Sequence, residues 1–274
     1  MATNGIIGSV MSLRRYPVKS MMGEELRSID MTEAGVLGDR SYALIDTETG
    51  KVVSAKNPQK WPTMFSFHAH YIDPPKNGTG LPPVRITLPD GTITDSNQAE
   101  VNSIISNALG RSVRLESLVP QTPNLEEYWP DIEELDNKNV VTDEKMPDKT
   151  FFDLAIVHLL TTSTVDKLRS LYPQGRFEVR RFRPNIVVNT QSEQPEFIEN
   201  QWIGKTLAIG DNVRLKVTEP CPRCVMTTLP QADLPEDKGI LRTALQNNNG
   251  HVGIYANVVQ TGAIKCGDEI KLID

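Results

Sequence analysis

Apolar and polar residues alternate through "MFSFHAHYI". Phe65, Phe67, Ala69 and Tyr71 take one face while Ser66, His68 and His70 take the other, the two-residue period of a half-buried strand. "IIGSVMSL" and "RSYALID" also read as strands, with a turn at "ETGK". "VRITLPDGTIT" reads as a hairpin closed at Asp90-Gly91. The period changes after Ser96. Val101, Ile104, Ile105, Ala108 and Leu109 share a helical face, and Gly110 supplies the stop. "VRLESL" returns to strand.

Further on, the apolar run "LAIVHLL" leads through "TTST" into "VDKLRSLYP", where Val165, Leu168 and Tyr172 fall on one helix face. Strands follow in "RPNIVV", "VRLKVTE", "VGIYANVV" and "EIKLI". Strands and helices do not alternate regularly, which argues against a doubly wound parallel sheet. The pattern predicts a mainly β protein with a few helices (α+β), built as two barrel-like or strongly bent β domains. Residues 1–119 form the first, 150–274 the second, and the proline-containing stretch 120–149 is expected to connect them.

Charge sharpens this division. The 274 residues carry a net charge of −6. Residues 120–149 hold nine acids against three lysines, a difference that equals the whole net charge. The rest is balanced, so the basic excess of a generic nucleic-acid binder is missing. The acidic stretch is a candidate docking surface for a basic partner. No apolar run approaches the roughly 20 residues that span a bilayer, and the N-terminus lacks a signal-peptide pattern. Three cysteines fit a reducing compartment better than a disulfide framework, and the expected location is cytoplasmic.

Two of those cysteines, Cys221 and Cys224, lie in "PCPRC". A zinc corner would have to recruit Cys266 and His251, which lack the usual paired spacing. A thiol redox centre wants a helix start, which Pro220 and Pro222 oppose; "VMTTL" reads as strand. His68 and His70 share a strand face but read better as solvent-facing polar alternation. Candidate anion sites are "RRYPVKS" with Lys19 and Ser20, "GVLGDRSY" with Arg40, and the turn Thr161, Thr162, Ser163 at a helix start. The arginine-rich "RFEVRRFRPN" adds Arg183, whose backbone is expected to be extended because Pro184 follows. Together they suggest a large anionic ligand, such as a phosphorylated cofactor.

As an ordered set, "YPVKS", "GVLGDRSYALID", "RFRPNIVV", "FIENQWIGKTLAIGDNVRLKV", "PCPRCVMTT" and "GIYANVVQTGAIKCGDEIKLI" resemble MOSC-domain proteins with the MOSC N-terminal β-barrel, the group that includes the mitochondrial amidoxime-reducing component and its bacterial relatives. The resemblance implies a molybdenum cofactor (molybdenum-molybdopterin) and two-electron reduction of N-oxygenated substrates. It implies Cys224 as metal ligand and catalytic residue, with Lys19, Ser20, Arg40, Arg183, Asn185, Pro222 and Arg223 binding the cofactor. Thr161, Thr162 and Ser163 match the cofactor-binding turn less closely. Cys221 would pack beside the site. No ferredoxin-type cysteine run follows Asp274, so a separate electron-donor protein is implied: an iron–sulfur protein, a b-type cytochrome or a flavoprotein reductase. No nucleic acid or membrane is expected as partner. The other reading is a non-catalytic carrier of the cofactor or of sulfur. Pyridoxal phosphate on Lys19 is disfavoured, because that lysine matches a phosphate-contacting position.

Overall fold

The computed structural model describes residues 5–190 and 194–273. Seven strands close a barrel: Ile6–Arg15, Val157–Thr161, Ile186–Thr190, Thr206–Ile209, Val213–Pro222, His251–Gln260 and Glu269–Ile273. Most neighbours are antiparallel, but Val157–Thr161 and Ile186–Thr190 run parallel. The closing strand is the first of the chain. Ile6–Arg15 pairs with Ile186–Thr190 on one side and Glu269–Ile273 on the other, so residues from the beginning and end of the sequence share one barrel. Alternate residues point inward, and Val10, Leu13, Leu159, Val188, Leu207, Leu215, Val217 and Ile254 fill the interior.

The remaining N-terminal residues wrap a second core. Strands His68–Tyr71, Val84–Thr87 and Ile93–Asp95 form one small antiparallel sheet, and Ala43–Asp46 pairs with Val113–Glu116. Helix Val101–Leu109 covers them with Val101 and Ile105 and ends at Gly110, whose φ of 66° is the left-handed cap conformation glycine tolerates best. The alternating "MFSFHAHYI" begins as a 3₁₀ turn over Met64–Ser66, and its strand starts at His68. The molecule is thus mainly β with few helices, as the pattern predicts.

The acidic stretch 120–149 contains an antiparallel hairpin, Asn124–Trp129 with Val140–Lys145. Its acids do not form one open negative field. Lys51 bonds Glu126 and Asp143, Lys60 bonds Glu126 and Asp46, Lys56 bonds Glu127, and Arg242 bonds Glu133 and Glu134. Charge that is segregated along the sequence is largely paired in space. Backbone bonds Val52 N–H to Asn124 O and Tyr128 N–H to Lys56 O fix the hairpin to the N-terminal core.

Candidate functional site: a cationic cavity around Cys224

The strand Val213–Pro222 stays paired with His251–Gln260 to its end, with Cys221 buried, and then leaves the barrel. The Arg223 N–H donates to Gly250 O, and Cys224 is extended at φ −126°. The next residues form a 3₁₀ turn, Val225–Thr228, where the sequence suggested a strand. That turn lets Val225, Met226 and Leu229 bury in the N-terminal core. Cys224 is therefore held between an ordered strand end and a buried anchor, at the seam of the two cores.

A cavity of about 300 Å³ opens at this seam. Cys224, Pro222, Arg223, Arg40, Arg183 and Asn185 all border it. The three arginines come from three distant segments. The guanidinium carbons of Arg40 and Arg183 lie 4.4 and 4.2 Å from the centre of the Tyr16 ring, and the Tyr16 hydroxyl donates to Pro184 O. Beneath them Asp39 is buried. It accepts from the Tyr16 N–H at 2.7 Å, from Asn185 Nδ2 at 2.8 Å and from Arg40. Asn185 Oδ1 accepts from the His158 N–H, so this amide braces the cavity floor on both sides.

Arg40 and Arg183 both have left-handed backbones, with φ of 47° and 54°. The extended conformation expected of Arg183 before Pro184 is not found. It closes the short helix Val179–Phe182 as a left-handed cap, and its Nη1 donates to Met21 O at 2.7 Å. Such conformations cost about 1–3 kcal/mol each and persist where surrounding contacts impose them.

The charges at this cavity are unevenly compensated. Arg40 has Asp39, but Arg183 bonds no carboxylate among the described residues. Burial and the neighbouring Arg40 charge push its guanidinium down to about 10. Arg223 donates Nη1 to Cys221 Sγ at 2.8 Å and Nη2 to Phe182 O at 2.9 Å, while its buried Nε has no partner among the described residues. Lys56 pairs with Glu127 at 2.9 Å. Burial, with the Glu127 charge behind it, pushes the Cys224 thiol up to about 11, so without a bound cation it stays protonated at neutral pH. His158 borders the cavity as well. Burial first and the Arg223 charge second push it down to about 3, so it is neutral. Gly253 opposite has φ 82°, and a Cβ there would come within 2.3 Å of His158 Nε2.

Other expected site residues lie elsewhere. Lys19 is buried behind the cavity, its ammonium bonded to Phe151 O and Asp153, and Asp153 is the one that borders the cavity. Ser20 Oγ accepts from the Ala55 N–H. Thr161 caps helix Thr162–Leu171 through the Thr164 N–H and donates to buried Glu199. Thr162 and Ser163 border a different hollow beside Met11 and Asp166. The turn that does reach the Cys224 cavity precedes the strand, at Asp153, Leu154 and Ala155. Cys266 sits by Leu26 O, and among the described residues no three His, Cys, Asp or Glu side chains are placed to hold a metal ion together. Sequence reasoning also missed Lys56, Glu127 and Trp129, which stand in no recognisable motif.

Arg183 without a carboxylate partner among the described residues, the unpartnered Arg223 Nε and the Cys224 thiol meet at one cavity, which makes it a cationic pocket with a thiol in its wall. Residues 7–103 match the MOSC N-terminal beta barrel domain and residues 147–271 match the MOSC domain, and the chain belongs to the MOSC-domain proteins. Among curated proteins it is similar to mitochondrial amidoxime reducing component 2 of Rattus norvegicus, 23% identical over 297 residues, covering 98% of this chain and 84% of that protein. The Bos taurus protein of the same name is also 23% identical, covering 96% and 83%. Among solved structures, the YUAD protein of Bacillus subtilis aligns over 97% of this chain and 96% of its own, at 12% identity and a TM-score of 0.47. Among the described residues no helix is long and apolar enough to cross a membrane.

Proposed function

We infer that this protein binds a molybdenum-bearing pterin cofactor in the Cys224 cavity and uses it to reduce small N-oxygenated compounds by two electrons, supplied by a separate donor protein. The observation that carries the reading is the shared cavity of Cys224, Arg183 and Arg223. A soft thiolate suits a transition metal, and the guanidinium groups suit the anionic arm of a phosphorylated cofactor. The relatives' names speak of amidoxime reduction, which supports the choice of N-oxygenated substrates.

When bound, the cofactor supplies the two-electron redox step. The chain's part is to position and to tune. Cys224 gives up its proton on ligation, and Arg223 and Lys56 offset the negative charge left on sulfur. Arg223 Nε offers a charged donor with no partner among the described residues, and Arg183, bonded to Met21 O through Nη1, carries a charge that no carboxylate among the described residues takes up. Asp39 and Tyr16 hold Arg40 and Arg183 in place. Phe152, Phe182 and Met226 exclude water from the cavity's apolar side.

Steady-state reduction of a simple amidoxime with a chemical reductant, using protein made in a cofactor-competent host, tests this. Turnover that depends on molybdenum content supports it. Fully loaded protein without turnover would favour a carrier.

A further inference from the structure

Arg181 is fully buried, and no carboxylate among the described residues pairs with it. Its guanidinium bonds carbonyls only. Nε donates to Arg176 O at 2.8 Å, Nη1 to Thr227 O at 3.2 Å and to Leu229 O at 3.1 Å, and Nη2 to Pro235 O at 2.8 Å. Burying a charge without a counter-ion is costly, and these bonds are what offsets the cost. Three of the four carbonyls belong to the segment that follows Cys224. Thr227 carries the tie back to the thiol residue. Its N–H and its Oγ1 both donate to Cys224 O, at 3.2 and 3.0 Å, while its own carbonyl accepts from Arg181. The guanidinium therefore fixes the turn Val225–Thr228, and the turn fixes the Cys224 backbone.

The next two residues reach the same cavity by other routes. Phe182 O accepts from Arg223 Nη2 at 2.9 Å, and Arg183 borders the cavity with its Nη1 on Met21 O. Three consecutive residues thus set the places of Cys224, Arg223 and Arg183. We propose that Arg181 is a positioning residue: through Thr227 it holds the Cys224 thiol in the cavity wall at a fixed separation from the Arg183 guanidinium. This rests on the reading of Cys224 and Arg183 as two contacts of one ligand, and it explains why a buried arginine stands two residues before Arg183.

The rate at which iodoacetamide alkylates each cysteine, measured on the full chain made without the cofactor and resolved by peptide mass, reads the hold on Cys224. Cys221, buried in the adjoining strand end, reports general loosening. Arg181→Lys keeps the charge and loses the planar fork that spans the carbonyls. It should speed alkylation of Cys224 by about tenfold, the scale of one charge-assisted hydrogen bond lost from a local opening, and leave Cys221 protected. Thr227→Val removes the hydroxyl and keeps the shape; it should speed Cys224 by roughly fivefold, and Thr227→Ser should restore the parent rate. If Arg181→Lys does not fold, the two Thr227 variants decide. Cys224 alkylated at the parent rate in the folded variants, or Cys221 and Cys224 rising together, would overturn the proposal. Molybdenum and pterin content of the parent from a cofactor-competent host separates the two readings. A parent that takes up neither, with Cys224 released in the variants, removes the reductase reading and leaves the role of Arg181 standing. A loaded parent whose variants hold Cys224 as firmly removes the role of Arg181 alone.

Discussion

Arg40 and Arg183 stack on the same tyrosine, Tyr16, at 4.4 and 4.2 Å, although 143 residues separate them in the chain. Two cations held this close repel each other, and among the described residues only Asp39 is bonded to offset them. In the proposed function an anionic ligand completes the balance. Arg183→Gln should therefore lower retention of the pterin by about tenfold or more, since a buried charge-assisted contact contributes about 1.5–3 kcal/mol. Equilibrium dialysis of loaded protein measures this. Unchanged retention would mean that the ligand does not touch Arg183.

Asp39 is the organising carboxylate of that pair. Asp39→Asn removes the charge opposite Arg40 and leaves two unneutralised guanidinium groups on one ring. Removing one partner of a buried ion pair costs about 3–5 kcal/mol. The urea midpoint should fall strongly, and added phosphate should restore part of the loss. A midpoint equal to the parent's would show that Asp39 does not bear this load.

The hydrophobic periods carried much of the fold. Strict alternation placed the hairpin at Asp90-Gly91, and the helix ending at Gly110 appeared with its cap, because both depend on local geometry. Barrel closure by Ile6–Arg15 was not legible, since strand pairing across the whole chain leaves no local mark. The hairpin 124–145 was hidden for a related reason: its acids and prolines read as a connector until Lys51, Lys56, Lys60 and Arg242 were brought beside them. At the site, Arg40, Arg183 and Cys224 stood in recognisable segments. Arg183's conformation misled because the pre-proline bias is weaker than its bond to Met21 O and its place at the helix end. Thr161 to Ser163 misled because a hydroxyl-rich helix start looks alike whether it caps or binds.

His158 gives the protein an acid-labile element. Burial and Arg223 push its pKa down to about 3, from an ordinary value of 6.5. Above about 6.5 neither the folded nor the unfolded chain protonates it. As pH falls below that value the unfolded chain takes a proton that the folded chain refuses, so stability declines towards about pH 3. Urea midpoints measured from pH 7.5 down to 4.5 should drop less steeply in His158→Gln than in the parent. Identical slopes would remove His158 from the account.

The paired acids of the hairpin bear on the donor. Glu126, Glu127, Glu133, Glu134, Asp143 and Asp148 are already bonded to cations, which leaves Asp131, Asp136 and Glu144 without ion pairs among the described residues. If the donor docks here, turnover with it should fall with added salt, while turnover with a small chemical reductant stays level. Equal salt sensitivity of both would exclude electrostatic docking at this face.

Cys224 carries the central claim, and its most direct measurement is the molybdenum and pterin content of the parent, Cys224→Ser and Cys221→Ala, each made in a cofactor-competent host. Serine is similar in size but a poor ligand for a soft metal site. The account predicts molybdenum and pterin together in the parent, loss of molybdenum with the fold intact in Cys224→Ser, and retention in Cys221→Ala, where the Arg223 contact to sulfur is lost and no metal ligand is removed. Parent protein carrying zinc and no molybdenum, or Cys224→Ser with undiminished molybdenum, would contradict it.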